Sequence, residues 1–222
     1  MNDNVHMFVD VDGVLNVFGD PARYHDGTDS SAEYKYPIYN TKTCYMADAL
    51  DKVYPRKKRY NIRWSHEMLH DLKTIIESPT VDFSWLTSWY PFTDEIINPL
   101  FDMSYEHNSD VNIDTVYGWM HLNQNYYDKY NYVKWYIVTH PGNPVIWIDD
   151  EYVNQYSYSD MKEALQTCRI PRRVLMIQTN SAIGISREQM DTIRNFCKYR
   201  TKGIQFITDV EDHHDYGNHI GY

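Results

Sequence analysis

Short apolar runs alternate along the chain with segments whose apolar residues recur every three or four positions. His6 to Val11 is a short apolar run that stops at Asp12-Gly13, the pattern of a buried strand running into a loop. Val81 to Leu86, Pro144 to Ile148 and Arg173 to Ile177 repeat that pattern, and Gly203 to Thr208 is a further short apolar segment. Between them, helical spacing predicts a helix over Ser65 to Ile76, with Met68, Leu69, Leu72, Ile75 and Ile76 on one face, Ser65 as cap and Pro79 as stop. A second helix is predicted over Lys129 to His140, with Val133, Tyr136, Ile137 and His140 in phase and Pro141-Gly142 ending it. A third starts at Ser159 and carries Met161, Ala164, Leu165 and Cys168, and a fourth runs from Arg187 to Tyr199 behind Ser186, with Met190, Ile193 and Phe196 inward. Asp94 to Phe101 reads as a short helix broken by Pro99, whereas residues 102–127 have no assignable period.

Strands alternating with helices predict an α/β fold built on a parallel, doubly wound sheet. Ligands of such sheets bind at the carboxyl ends of the strands. Residues 17–45 break the pattern with Pro21, Gly27, Pro37 and many Tyr, Ser and Thr residues, and read as an irregular or partly β insertion placed where a lid could sit. Residues 52–63, KVYPRKKRYNIR, are the one concentrated basic run, either a solvated turn or a substrate-facing patch. We expect a single domain over residues 1–222 with a cap or lid insertion at about 17–60.

Composition narrows the classes. With 42% hydrophobic and 23% charged residues the chain reads as a soluble globular protein, unusual only in its 21 tyrosines and 6 tryptophans. Cys44, Cys168 and Cys197 are odd in number and far apart, which gives neither a disulfide framework nor a zinc-ligand spacing and suggests a reducing, cytoplasmic setting. No signal peptide or apolar stretch of transmembrane length is visible, so no membrane partner is expected. A formal net charge of −10 works against broad nucleic-acid binding, which depends on neutralising phosphates, but leaves room for a small or locally bound anion if a cation offsets the carboxylates. His213, His214 and His219 stand among acids near the C-terminus and read as part of a surface tail rather than a metal site.

The candidate chemistry lies in MFVDVDGVLN, where Asp10 and Asp12 follow an apolar strand and precede Gly13. Residues two apart on a strand share a face, so both carboxylates can converge above the sheet. Alone, the fragment is equally an acidic turn. A second acidic pair, Asp149-Asp150, follows the strand PVIWI, and two parallel strands ending in carboxylates place them at one edge. Such a concentration of charge calls for a hard cation, and magnesium suits carboxylate, carbonyl and water ligands.

FVDVDGVLN resembles the first motif of the haloacid dehalogenase superfamily, WLTS the second and WIDDE the fourth, in the required order. The third motif is a lysine at or before the helix leading to the fourth-motif strand, for which Lys129 and Lys134 compete. Within the superfamily the chain is most similar to the phosphatase-like domain of Swiss Army Knife RNA-repair proteins, small and often from phage or bacteria. DKYNYVKWYIVTHPGNPVIWIDDE matches that group's lysine, helix, Pro-Gly-x-Pro turn and W-I-D-D strand with Lys129 in the lysine position, and LMIQTNSAIGISREQMDTI resembles its terminal strand, loop and helix start. The resemblance implies a Rossmannoid three-layer sandwich around a central parallel sheet, with a small aromatic-rich insertion.

Carried onto this chain, the resemblance implies a Mg2+-dependent phosphatase in which Asp10 attacks phosphorus to form an aspartyl phosphate. Asp12 is then the general acid and base, with its backbone carbonyl also on the metal. Thr87 and Lys129 would hold phosphoryl oxygens. Asp149 is the first choice of metal ligand, and Asp150 is a second ligand, direct or through water, or an orienting group. Gly13 and Ser88 stand beside them as candidate phosphate contacts, Ser88 being equally the start of a turn. Arg56 and Arg59 of the basic run are candidates for a further phosphate, while Trp85, Trp89 and Trp147 read as packing rather than base-stacking platforms. Members that cleave carbon–halogen bonds lack the second aspartate, so Asp12 favours phosphate esters, and the absence of a G-x-x-x-x-G-K-[ST] loop weakens a kinase reading. The substrate expected is a phosphorylated nucleotide or nucleic-acid end, with transfer to an acceptor other than water left open. The rival from another class is a binding protein that keeps the fold and sequesters a phosphorylated ligand or contacts a protein.

Overall fold

The structure is a computed structural model that describes residues 4–18, 40–47, 57–89, 93, 97–101, 128–166 and 172–210, with backbone alone for 40–47, 57–61, 100, 101 and 128. Strands β1 (Val5–Val9), β4 (Val81–Trp85), β5 (Val145–Asp149), β6 (Arg173–Gln178) and β7 (Gly203–Thr208) form one sheet in the order β4-β1-β5-β6-β7. All four pairings are parallel. Helices α1 (His66–Ile76), α3 (Asp128–Thr139), α4 (Gln155–Gln166) and α5 (Arg187–Tyr199) flank it, and α2 is the short Asn98–Phe101.

Strand alternation divides the core into two layers. Val5, Met7 and Val9 of β1, Ile146 and Ile148 of β5, and Leu175 and Ile177 of β6 join Met68, Leu69 and Leu72 of α1 and Met190, Ile193 and Phe196 of α5. The intervening residues Phe8, Val145, Trp147, Val174 and Met176 pack instead with Tyr132, Val133, Tyr136 and Ile137 of α3 and Met161 of α4. Helix–sheet–helix layering is thus dictated by runs apolar at both parities, as expected for strands buried on both faces. Across the outside of the first layer, Arg187 pairs with Glu67 at 2.8 Å and Arg194 with Asp71 at 2.8 Å, tying α5 to α1.

The predicted strands and helices are all present, with shifts that have local causes. Ser65 caps α1 by accepting from the Met68 amide, and Ser186 and Gln189 form the reciprocal capping box of α5. Helix α4 begins four residues before the expected Ser159, because Asn154 Oδ1 accepts from the Tyr156 and Ser157 amides and starts the helix there. Pro99 lies in the first turn of α2 rather than breaking it, where its missing N–H costs nothing. Gly203–Thr208 is the fifth parallel strand, paired with β6 throughout.

The insertion contains an antiparallel hairpin, β2 (Asn40–Ala47) with β3 (Lys57–Trp64). Residues 57–63 of the basic run, either a solvated turn or a substrate-facing patch from the sequence, are therefore strand. The end of β3 docks on the main body: Ile62 and Trp64 are buried in the α1 layer, and the Val17 amide donates to the Arg63 carbonyl at 2.8 Å. No helix among the described residues is long and apolar enough to cross a membrane. The expectations for residues 102–127 and for His213, His214 and His219 lie outside the described residues.

Candidate active site

Asp10 follows β1 in the phase of His6 and Phe8, and Asp149 ends β5 in the phase of Val145 and Trp147, so both side chains fall on the α3 side of the sheet. Because β1 and β5 are parallel neighbours, both carboxylates also reach the same edge. Lys129, in the first turn of α3, meets them there: its Nζ lies 2.6 Å from Asp10 Oδ2 and 3.0 Å from Asp149 Oδ2. All three are buried, Asp149 completely. Lys134, the other candidate for the motif lysine, points to the surface and pairs with Asp160 at 2.8 Å.

The second oxygens of the two carboxylates are held by backbone donors. Asp10 Oδ1 accepts from the Val11 amide at 2.7 Å, and Asp149 Oδ1 from the amides of Glu151 and Tyr152 at 3.0 and 2.7 Å. The ring of Tyr152 lies 5.1 Å from Lys129 Nζ and walls the ammonium from the side. Burial opposes charge on Lys129, but Asp10 and Asp149 outweigh it and hold the ammonium above the usual lysine range.

Asp150 completes an acidic trio: Asp10, Asp149 and Asp150 each offer a carboxylate oxygen within 4.8 Å of the others. Burial, followed by the charges of Asp149 and Asp10, pushes the Asp150 carboxyl up to about 7. Asp149 is also raised, by burial above all and despite Lys129. Among the described residues, three carboxylates facing one ammonium leave negative charge without a counterpart, and all the donors are hard oxygens. That donor set fits a hard divalent cation such as magnesium.

Gly13 lets Asp150 come this close. Its φ of +69° is in the left-handed region, and a Cβ built there would lie 2.0 Å from Asp150 Oδ2. Thr87 is buried just past the end of β4, on the strand beside β1, and its Oγ1 accepts from the Trp89 amide at 3.3 Å. That bond uses a lone pair and leaves the hydroxyl proton to donate. Ser88 is exposed beside it.

Asp12 does not join the trio. Strand β1 stops at Val9, so strand alternation no longer relates Asp12 to Asp10. Its Oδ1 accepts from Asn16 Nδ2 at 2.6 Å and its Oδ2 from Trp89 Nε1 at 2.9 Å. Burial raises its pKa, against the pull of those two hydrogen bonds. Arg59 is placed on β3 opposite Tyr45, and Arg56 lies outside the described residues.

Three residues at the site were not singled out from the sequence as partners. Asn16 serves Asp12 from one side, and the four-residue spacing of a tight loop is the signal that could have found it. Trp89 was read as packing, although its place two residues after Thr87 puts it at the same edge. Thr179, just past β6, donates to the Gly13 carbonyl at 2.9 Å and fixes the glycine loop from a third strand. Its position after a strand in a parallel sheet was the available clue.

Compared with known proteins, the chain matches the family model described as HAD domain in Swiss Army Knife RNA repair proteins over residues 6–190. No curated protein and no solved structure matches it. The match begins at β1 and runs through both acidic strand ends into α5, so it spans the whole edge described above. The chain belongs to the family of HAD domains found in Swiss Army Knife RNA repair proteins.

Proposed function

We propose that this protein is a magnesium-dependent phosphomonoesterase acting on a nucleotide or a nucleic-acid end through an aspartyl-phosphate intermediate. The observation that carries the reading is the buried Lys129 ammonium between Asp10 and Asp149, with Asp150 completing an oxygen-rich trio at the edge of the parallel sheet. Asp10, Asp149 and Asp150, with the Asp12 carbonyl, would hold magnesium, which when bound offsets the repulsion between a carboxylate nucleophile and phosphoryl oxygens.

A carboxylate oxygen of Asp10 attacks phosphorus, and the bond from phosphorus to the ester oxygen breaks. Asp12, whose burial raises its pKa, donates its proton to the departing oxygen. Asp12 then accepts a proton from water as that water attacks the phosphorus of the intermediate, releasing phosphate and restoring Asp10. Lys129 and the Thr87 hydroxyl stabilise phosphoryl oxygens during both transfers, with Gly13 and Ser88 lining the same edge. We read the segment around 17–60 as a cap or lid insertion in this single domain; the backbone bond from Val17 to Arg63, which brings its two ends together, supports an insertion at this point.

The test is a panel of phosphorylated nucleotides, sugars and oligonucleotides carrying 3′ or 5′ phosphates, assayed with and without magnesium. Magnesium-dependent phosphate release from nucleotides or oligonucleotide ends, in preference to sugars, is expected. Release from none of them overturns the reading and leaves a ligand-sequestering role for the fold.

A further inference from the structure

The mechanism requires Asp12 to aim a proton at a leaving group, yet Asp12 is outside the ion-paired cluster and has no charged partner in hydrogen-bond contact among the described residues. Each of its oxygens is instead held by a neutral donor, Asn16 Nδ2 at 2.6 Å and Trp89 Nε1 at 2.9 Å. The orientation of the Asn16 amide is set independently, since its Oδ1 accepts from the Arg63 amide at 2.9 Å and so turns the NH2 group towards Asp12. The Trp89 indole is fixed as well: the residue is 4% exposed, and its own amide is bonded to Thr87.

We propose that Trp89 and Asn16 are positioning residues that lock the Asp12 carboxyl for general acid–base work, an inference that rests on the phosphohydrolase reading. An indole N–H and an amide N–H donate only, so neither can take the Asp12 proton. Each donor fills one lone pair, and the proton is confined to the remaining directions, away from Asn16 and Trp89. Turning the carboxyl about its Cβ–Cγ bond breaks both hydrogen bonds. The donors come from separate chain segments, the loop after β1 and the loop after β4, so the aim of Asp12 depends on how those loops are packed together.

The experiment compares wild type, Trp89→Phe and Asn16→Ala on 4-nitrophenyl, phenyl and alkyl phosphates with magnesium. The quantity read is kcat/KM, which reports transfer to Asp10. A good leaving group departs without a proton and a poor one cannot, and general acid catalysis is worth about 10²–10⁴-fold. Trp89→Phe should therefore lose about tenfold or more on phenyl and alkyl phosphate and several-fold less on 4-nitrophenyl phosphate. Asn16→Ala removes the donor to Asp12 without placing a second carboxyl beside it, and it carries the same expectation if Trp89→Phe does not fold. A readout independent of turnover is the indole N–H resonance of Trp89, which should move upfield in Asp12→Ala. Losses equal across the three esters, or an indole resonance indifferent to Asp12, overturn the positioning role while leaving the phosphohydrolase reading intact. A wild-type protein that hydrolyses neither these esters nor any phosphorylated nucleotide, sugar or oligonucleotide overturns both.

Discussion

Asp10 and Asp12 are separated only by Val11, and their surroundings are opposite. Asp10 faces an ammonium at 2.6 Å on the α3 side of the sheet, whereas Asp12 turns to two neutral N–H groups supplied by Asn16 and Trp89. On the proposed mechanism, the ammonium beside Asp10 also meets the phosphoryl oxygens that approach the nucleophile. Neutral donors leave the burial of Asp12 to raise its pKa, which suits a group that must carry a proton and give it up. On the proposed mechanism, these partners fit two chemically identical side chains to different tasks.

The largest effects should come from removing each carboxylate. Asp10→Asn should lose about 10³-fold or more in turnover while keeping the fold, because no intermediate can form. Asp12→Asn should lose about 10²–10⁴-fold. The two should differ in kind: with 4-nitrophenyl phosphate, Asp12→Asn should accumulate phosphorylated protein, detectable by intact mass after acid quench, and Asp10→Asn should not. If neither variant accumulates it, or both do, the division of labour is wrong.

Lys129→Met tests the ion-paired half. It leaves Asp10 and Asp149 buried without their shared cation, and breaking a buried pair in this way costs about 3–5 kcal/mol. Urea unfolding should show that loss at neutral pH without metal, with magnesium restoring part of it through binding to the folded state. An unchanged midpoint would mean that the two carboxylates do not depend on the ammonium.

A smaller loss is expected from Gly13→Ala, which adds a side chain at φ +69° and a Cβ that would lie 2.0 Å from Asp150 Oδ2. Left-handed backbone at a non-glycine residue costs about 1–3 kcal/mol. Displacing Asp150 should also weaken magnesium binding, which calorimetry would detect. Unchanged magnesium affinity would remove Asp150 from the metal site.

The ion-paired half was the more legible in the sequence. Asp10 and Asp149 each follow an apolar strand, and strand periodicity carries that information directly into space. Lys129 needed more, because spacing alone did not separate it from Lys134; the five-residue step between them turns about 140° around the helix, so that the first reaches the sheet edge and the second reaches Asp160. The Asp12 half was hidden because its geometry arises after β1 ends, in a loop whose course depends on Arg63, Thr179 and Trp89 from distant segments. The basic run, either a solvated turn or a substrate-facing patch from its sequence, was equally opaque: Lys57–Trp64 is a strand, with Ile62 and Trp64 buried near its end.

His6 extends the comparison to the other end of the Asp10 face, roughly 13 Å down the strand at 3.3 Å per residue. It is buried against Phe8 and Tyr136, and its Nε2 lies 3.2 Å from Ser84 Oγ. Among the described residues no ion pair offsets that burial, which lowers its pKa to about 4 against an opposing pull from Asp82. Between about 4 and the unfolded value of about 6.5, the unfolded chain binds the proton and the folded protein does not. Stability supplied by neutral His6 is therefore present above pH 6.5 and lost as pH falls, by about 1 kcal/mol between pH 7 and 5.5. Asp150 acts in the opposite sense: its folded pKa of about 7 makes the folded protein the stronger proton binder down to the unfolded value near 4, so its contribution grows as pH falls. The two separate in the difference between wild type and His6→Gln, each unfolded in urea at both pH values. Wild type should lose about 1 kcal/mol more than the variant on acidification, whatever Asp150 adds to both. Equal losses would mean that His6 is protonated in the folded core, and that burial on this face does not by itself decide charge.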